Sequence, residues 1–241
     1  PQKIHPSKSE DAFKDISLEA RAVFVFDLKL KTVLYARNEN ERLPLASITK
    51  LMTAFIAREQ MLESAVITLT HDDLSAEGDS GLRPGERWRM GDLLRVMLII
   101  SSNDAAHAIG NFVGSAGQAT ADPAQSRAHF IQMMNNKALA LKFEQMQFFN
   151  ESGLDINDEK NWLPVQSGGY GSARNVADLF AGLWGKYPET IEITAHKDAR
   201  IYSQDRIAHI LPNTYEIVGH IPGLVASKTG CSEKEVTVTF T

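Results

Sequence analysis

Leu45-Ala46-Ser47-Ile48-Thr49-Lys50-Leu51-Met52-Thr53-Ala54 is the stretch on which the interpretation of this 241-residue chain depends. Ser47 favours the start of a helix, and apolar residues then recur at helical spacing through Ile56. Residues three apart lie on one face of a helix, so the Lys50 amine can reach the Ser47 hydroxyl. A lysine whose ammonium is destabilised by burial or by a neighbouring cation can accept the serine proton. On its own, the pattern is also that of a helix N-cap followed by a solvated lysine.

Two further short patterns follow in the chain. Ser101-Ser102-Asn103 comes directly after the apolar stretch 92–100, and Lys228-Thr229-Gly230 comes after the segment 221–226. Each pattern occurs only once, so the assignments do not compete. In this order, SxxK, then SxN about fifty residues on, then KTG form the motif set of β-lactamases and penicillin-binding proteins.

Longer runs of sequence surround these motifs and narrow the family. They are the runs 45–54 and 101–106, together with Ser152-Gly153-Leu154-Asp155, Ser172-Ala173-Arg174 and Pro222-Gly223. With them, the sequence resembles the low-molecular-mass penicillin-binding proteins that are D-alanyl-D-alanine carboxypeptidases, over nearly the whole chain. The resemblance implies peptidoglycan stem peptides as substrates and β-lactam antibiotics as covalent inhibitors. It also implies export to the periplasmic or extracytoplasmic cell-wall space.

The resemblance gives each motif residue a role in acylation. Ser47 would attack the carbonyl carbon between the two D-alanines, with Lys50 as the general base. Ser101 would relay a proton toward the leaving amine, and Asn103 would hydrogen-bond both Lys50 and the substrate backbone.

The KTG motif would bind the substrate. Lys228 supplies positive charge and Thr229 a hydroxyl for the terminal carboxylate, while Gly230 leaves room for a substrate strand. The backbone N–H groups of Ser47 and Cys231 would receive the oxyanion. A cysteine nucleophile at Cys231 is the rival interpretation, but it explains none of the other motifs.

The order of strands and helices predicts an α+β fold. A β-hairpin is expected over 21–37 and strands over 202–218 with a turn at 212–214, and the segment 236–241 alternates apolar and polar residues. Helices are expected between them. With the resemblance, this predicts a β-lactamase/transpeptidase-like fold: an antiparallel sheet built from both chain ends, with a helical subdomain of about 60–175 inserted in a single domain over 1–241.

Composition excludes several other classes. The chain has 25 Lys and Arg against 30 Asp and Glu, a net charge of −5 without long runs of one sign, which argues against a nucleic-acid partner. Its longest apolar runs are far shorter than the roughly 20 residues that cross a bilayer. One cysteine excludes an internal disulfide, and the histidines form no metal-binding pair, so we expect no metal and no cofactor.

The chain also departs from the family pattern. Ser152 stands where members often carry histidine, and Asn175 where they often carry aspartate. The family continues further past KTG, so we expect the C-terminal end to be incomplete. We interpret His107, Asp155, Arg174, Trp88 and Trp162 as structural.

Three alternative functions remain open. A D,D-endopeptidase would use the same residues. A β-lactamase would need a water-activating group, and Glu151-Ser152-Gly153-Leu154-Asp155 superficially resembles the glutamate-bearing loop of the class A enzymes. A non-catalytic cell-wall-binding homologue is disfavoured by the intact motifs.

Overall fold

The computed structural model describes residues 17–117, 122–156 and 166–230 as a mixture of helices and short antiparallel strands. This confirms the predicted α+β class. The helices are α1 (Lys50–Gln60), α2 (Met90–Ile99), α3 (Asn103–Gly114), α4 (Pro123–Ala140), α5 (Ala173–Lys186) and α6 (Pro188–Ile191), with 3-10 turns at Ala46–Thr49 and Glu192–Ala195.

Within the described residues, the strands form four small sheets. They are β1 (Val23–Asp27), β2 (Thr32–Arg37), β3 (Leu43–Pro44), β4 (Val66–Thr68), β5 (Arg87–Arg89), β6 (Gln147–Phe148), β7 (Gly169–Gly171), β8 (Asp198–Tyr202) and β9 (Ala208–Pro212). β1 pairs with β2, β4 with β5 and β8 with β9, while β7 lies between β3 and β6. The predicted N-terminal hairpin is therefore present. The C-terminal strand predicted at 236–241, which would join the two chain ends in one sheet, lies outside the described residues, as do Trp162 and Cys231.

The turn of the C-terminal hairpin was predicted at the wrong place. It lies between β8 and β9 rather than at 212–214, and Arg87 fixes it with an ion pair of 2.6 Å to Asp205. The segment after β9 leaves the sheet instead. There, Asn213 Nδ2 donates to the carbonyl oxygens of Thr194 and His196, both at 2.8 Å. Residues 216–220 then form turns, and no strand follows β9 within the described residues, so 212–214 does not connect two strands.

Helix α2 lies at the centre of the core. All of its residues except Asp92 and Arg95 are buried, as expected of a helix that is apolar on nearly every side. Helices α1 and α3 and the β8–β9 hairpin pack against it. Burial of a Leu, Ile or Met side chain stabilises a fold by about 1.5–3 kcal/mol, so this helix anchors the elements that carry the motifs.

Close approach of glycines positions the turn before α1. Gly153 has a positive φ of 85°, and a Cβ there would collide with the Ala46 carbonyl. A Cβ at Gly169 would collide with the hydroxyl of Thr49. The loop 150–154 and strand β7 therefore press directly on the Ser47 turn.

Two of the residues interpreted as structural have packing roles here. Trp88 is fully buried, and Arg174 lies over the ring of Phe24 and binds Glu39 Oε1 at 3.2 Å. Within the described ranges, the helices lack the combination of length and apolar character needed to cross a bilayer.

Candidate active site

The Ser47 hydroxyl lies at the start of α1, on a strained turn. The 3-10 turn Ala46–Thr49 precedes the helix, and Ala46 has a φ of 45°, which non-glycine residues adopt at a cost of about 1–3 kcal/mol. Ser47 is partly exposed, whereas the next three residues are buried. The turn thus presents one hydroxyl to solvent at the end of a buried helix.

Lys50 brings the first two motifs together. Its Nζ lies 2.9 Å from Ser47 Oγ and 2.8 Å from Asn103 Oδ1. The third partner is the carbonyl oxygen of Ser152, at 2.8 Å. The side chain is fully buried, so these three contacts fix the position of the amine.

The surroundings of Lys50 disfavour its charged form. Burial, and next the positive charge of Lys228, hold the pKa of the Lys50 ammonium well below its ordinary value. The negative charge of Glu151 acts in the opposite direction. A lysine with a lowered pKa has a free amine that can accept a proton from Ser47.

The Ser101-Ser102-Asn103 motif joins α2 to α3. Ser101 has a φ of 60°, and Ser102 caps α3 by accepting a hydrogen bond of 3.0 Å from the Ala105 N–H. Asn103, the first residue of α3, donates through Nδ2 to the Glu77 carbonyl at 2.7 Å. That bond orients its Oδ1 toward Lys50.

Lys228 connects the third motif to the second. It is 2 % exposed, and its Nζ donates to Ser101 Oγ at 2.8 Å and to the Thr229 carbonyl at 2.7 Å. Burial lowers the pKa of Lys228 to about 7. The Thr229 hydroxyl lies 2.7 Å from the hydroxyl of Thr214, a residue that belongs to none of the three motifs.

An open cleft of about 530 Å³ gives access to this arrangement. It is lined by Ser47, Ser101, Thr214, Tyr215, Glu216, Ile217, Thr229 and Gly230. A neighbouring cleft of about 410 Å³ shares Ser101 and Thr214 with it and also reaches Asn103. The hydroxyls of three motif residues therefore face one space.

The packing around Gly230 gives this glycine a structural role in addition to the predicted one of leaving room for substrate. A Cβ at this position would lie 2.9 Å from the Leu45 carbonyl oxygen and 3.0 Å from Ile48 Cγ1. The glycine is thus needed for close packing of the KTG segment on the Ser47 turn. Cys231, expected to supply an oxyanion donor, lies outside the described residues.

Some contacts of the site carry no signal in the sequence. The Ser152 carbonyl belongs to the backbone, and the Thr214 hydroxyl belongs to a single small side chain. No sequence motif marks either group.

His107, interpreted as structural, lies with its Nε2 3.1 Å from Glu151 Oε1. Glu151 is 1 % exposed and lines neither cleft, which is not the position of a group that activates water there. Within the described ranges, no three His, Cys, Asp or Glu residues form a group suited to a metal ion.

The fold and this site define a β-lactamase-like protein of the penicillin-binding class. The family model of peptidase family S11, D-alanyl-D-alanine carboxypeptidase, matches residues 7–235, and the chain belongs to that family. The resemblance seen in the sequence is thereby confirmed.

Individual relatives agree with the family. A D-alanyl-D-alanine carboxypeptidase of Bacillus subtilis is 27% identical over 222 residues, which cover 90% of this chain and 52% of that protein. A D-alanyl-D-alanine endopeptidase of Haemophilus influenzae is 31% identical over 138 residues, 56% of this chain and 44% of that protein. The chain thus spans about half the length of these two curated relatives.

A solved structure confirms the fold. Penicillin-binding protein D2 of Listeria monocytogenes, in its cefotaxime-bound form, matches with a TM-score of 0.71 and 26% identity, over 92% of this chain and 83% of that one.

Proposed function

We propose that this protein is a serine D,D-peptidase that removes the terminal D-alanine from peptidoglycan stem peptides through an acyl-enzyme on Ser47. The same serine would be acylated by β-lactams. The observation that carries the proposal is the 2.9 Å contact between Ser47 Oγ, at the cleft, and the buried Lys50 Nζ. Membership of the D-alanyl-D-alanine carboxypeptidase family supports the choice of substrate.

Acylation begins with transfer of the Ser47 hydroxyl proton to the free amine of Lys50. The oxygen forms a bond to the carbonyl carbon of the penultimate D-alanine, and the carbonyl oxygen becomes negatively charged. The Ser47 backbone N–H is one proposed donor to that oxyanion, and the family resemblance assigns the second to Cys231.

Departure of the terminal D-alanine needs a proton on its nitrogen. We assign delivery of that proton to Ser101 Oγ, which Lys228 Nζ, 2.8 Å away, then reprotonates. Lys50 has gained one proton and Lys228 has lost one, so the charge balances. A pKa near 7 makes Lys228 able to give up its proton at neutral pH. Water then cleaves the ester: its oxygen and one hydrogen complete the carboxyl group of the shortened stem, and its other hydrogen restores the Ser47 hydroxyl. Lys50 releases its extra proton to solvent and Lys228 takes one up, which restores both lysines.

Binding of the substrate carboxylate falls to the KTG segment. Lys228 supplies positive charge close to the cleft, and Thr229 lines the cleft with its hydroxyl. Asn103 borders the neighbouring cleft and would hydrogen-bond the peptide backbone. A peptidoglycan substrate places the protein in the extracytoplasmic cell-wall space, and we propose one catalytic domain with the helical subdomain at about 60–175.

A D,D-endopeptidase is the second candidate, and the Haemophilus influenzae relative favours it. It would use the same acyl-enzyme and differ in the leaving group. A β-lactamase is not favoured, because Glu151 is buried away from the cleft.

The test compares two substrates with the purified chain. A stem pentapeptide ending in D-alanyl-D-alanine should release free D-alanine, measured by mass spectrometry, faster than a cross-linked stem dimer is cut. Ser47→Ala should abolish release, while Ser75→Ala, which changes an exposed serine away from the cleft, should leave it unchanged. Faster cleavage of the dimer would favour the endopeptidase, and loss of neither substrate would contradict both.

A further inference from the structure

A buried carboxyl group lies close to Lys50, and the acylation chemistry above does not use it. Glu151 is 1 % exposed, and its Oε1 lies 3.1 Å from His107 Nε2. Among the described atoms, neither Glu151 Oε1 nor His107 Nδ1 has an aligned hydrogen-bond partner. Buried polar atoms are nearly always paired, so this arrangement needs a reason.

Two routes of contacts and chain neighbours link this carboxyl group to Lys50, the proposed base. Asn103 and His107 lie one turn apart on α3 and so share a face. Asn103 Oδ1 contacts Lys50 Nζ at 2.8 Å, and His107 contacts Glu151. The next residue, Ser152, returns to Lys50 through its carbonyl oxygen at 2.8 Å. Any change in the Glu151 charge therefore occurs within the shell that holds the Lys50 amine.

Glu151 is also held firmly in this position. Its carbonyl oxygen accepts a hydrogen bond of 2.6 Å from Thr53 Oγ1, one turn beyond Lys50 on α1. On the facing helix α3, a Cβ at Gly110 would lie 3.1 Å from Glu151 Cγ, so only glycine leaves ordinary space for the side chain. A buried ion costs several kcal/mol that its partners offset only in part, so simple packing would be better served by an apolar residue.

The titratable side chains that act on Glu151 come from three helices. They are Lys50 on α1, His107 on α3 and Arg127 on α4, and Arg127 is itself paired with Asp72 at 2.6 Å. Burial raises the pKa of Glu151, and these three groups oppose that rise, His107 most strongly. In return, the Glu151 carboxylate opposes the lowering of the Lys50 pKa by burial and by Lys228.

We propose that Glu151, held by His107, is a positioning residue whose negative charge beside Lys50 sets the pH range in which Lys50 is a free amine. The inference rests on the proposed function of Ser47 and Lys50. Removal of the Glu151 charge removes a factor that stabilises the Lys50 ammonium, so the free amine then persists to lower pH. His107 acts on Lys50 only through the charge of Glu151.

The test is the pH profile of acylation in the Glu151→Gln variant, which keeps the size and shape of the side chain. The second-order rate constant for acylation by benzylpenicillin is measured from pH 4.5 to 9 by intact-protein mass spectrometry. We expect the acidic limb of Glu151→Gln to move to lower pH by about 0.5–1 unit. Glu144→Gln, which changes an exposed carboxylate seven positions earlier in the chain, is the matched control and should retain the profile of the unchanged protein.

A second variant tests the route through His107. His107→Gln removes the group that most strongly lowers the pKa of Glu151, so the acidic limb of this variant should move in the same direction, by no more than that of Glu151→Gln. The double variant should match Glu151→Gln alone. A merely structural pair would lower thermal stability in these variants and leave the acidic limb in place.

The two proposals fail in different ways. An acidic limb that stays in place in Glu151→Gln would overturn the inference, and if that variant does not fold, an unmoved limb in His107→Gln would do so. Absence of any adduct on Ser47 in the unchanged protein would instead overturn the proposed function.

Discussion

Two buried glutamate–histidine pairs occupy different regions of this molecule, and they differ in how completely their atoms are bonded. At the β8–β9 hairpin, His209 Nε2 lies 2.7 Å from Glu86 Oε1, and the Arg83 N–H donates to Glu86 Oε2 at 3.2 Å. At the site, the Glu151–His107 contact is longer, at 3.1 Å, and neither Glu151 Oε1 nor His107 Nδ1 has an aligned hydrogen-bond partner among the described atoms. Neighbouring residues thus provide hydrogen-bond partners for the Glu86–His209 pair, whereas the Glu151–His107 pair lies near Lys50.

From this difference we expect the hairpin pair to stabilise the fold and the site pair to affect the chemistry of Lys50. The hairpin pair packs against Trp88, with 5.0 Å between the Trp88 and His209 ring centroids, in a region of core contacts. The site pair lies among the residues that hold Lys50. Variants of the two pairs should therefore separate stability from pH dependence.

The largest effect on acylation should come from substitution of Lys50, the lysine beside the Glu151–His107 pair. Lys50→Gln removes the proposed base while keeping a polar side chain, and we expect the acylation rate constant for benzylpenicillin to fall by about 10²–10⁴-fold. The rate is followed by intact-protein mass spectrometry at pH 7.5. Lys29→Met, at an exposed position in the β1–β2 turn, is the control and should acylate normally. Acylation of Lys50→Gln at an undiminished rate would remove the basis for any role of the site pair.

Lys228, a buried lysine beside the cleft, should make the stability of the fold depend on pH. Its folded pKa of about 7 lies below the ordinary lysine value of about 10.4, so between these values the folded state binds fewer protons than the unfolded state. The free energy of unfolding should therefore rise with pH across that window, by up to about 1.4 kcal/mol per pH unit from this group. Lys50 contributes in the same direction.

Urea unfolding of Lys228→Met at pH 7, 8 and 9 measures this contribution. The rise with pH should be less steep than in the unchanged protein, whereas Lys29→Met should keep the full slope. Equal slopes in all three proteins would contradict the assignment of a low pKa to Lys228.

The hairpin pair should affect stability alone. His209→Leu leaves the buried Glu86 carboxylate without its closest partner, and we expect a loss of about 1–3 kcal/mol in the free energy of unfolding. The acidic limb of the acylation profile should stay in place. If the acidic limb of His209→Leu moves as far as that of Glu151→Gln, the proposed difference between the two pairs is wrong.

A smaller effect is expected at the cleft wall. Thr214→Val removes the hydroxyl that lies 2.7 Å from Thr229 Oγ1. Loss of one neutral hydrogen bond, about 0.5–1.5 kcal/mol, should raise KM for a stem pentapeptide by about 2–10-fold with little change in kcat. A change confined to kcat would instead place Thr214 in the chemical step.

The sequence predicted the parts of the site that depend on side-chain chemistry at fixed spacing. Ser47 and Lys50 lie on consecutive turns because the apolar pattern requires a helix there, and the SxN and KTG motifs mark residues that converge on that helix. In the structure, Lys50 contacts Ser47 and Asn103 directly, and Lys228 contacts Ser101. Their roles in catalysis remain predictions.

Features that depend on tertiary packing could not be predicted. No local pattern encodes the close approach of the Leu45 carbonyl to Gly230 in the KTG segment. The hairpin turn at 203–207 is fixed by the ion pair between Arg87 and Asp205, more than a hundred residues apart in the chain. The sequence around His107 is that of an ordinary helical histidine, because its partner, Glu151, comes from a distant loop.

The most direct test of the central claim is to locate the covalent adduct after incubation with benzylpenicillin. Intact-protein mass spectrometry followed by peptide digestion should place one penicilloyl group on the peptide containing Ser47, and Ser47→Ala should carry none. An adduct on another residue, or equal labelling of Ser47→Ala, would contradict the account.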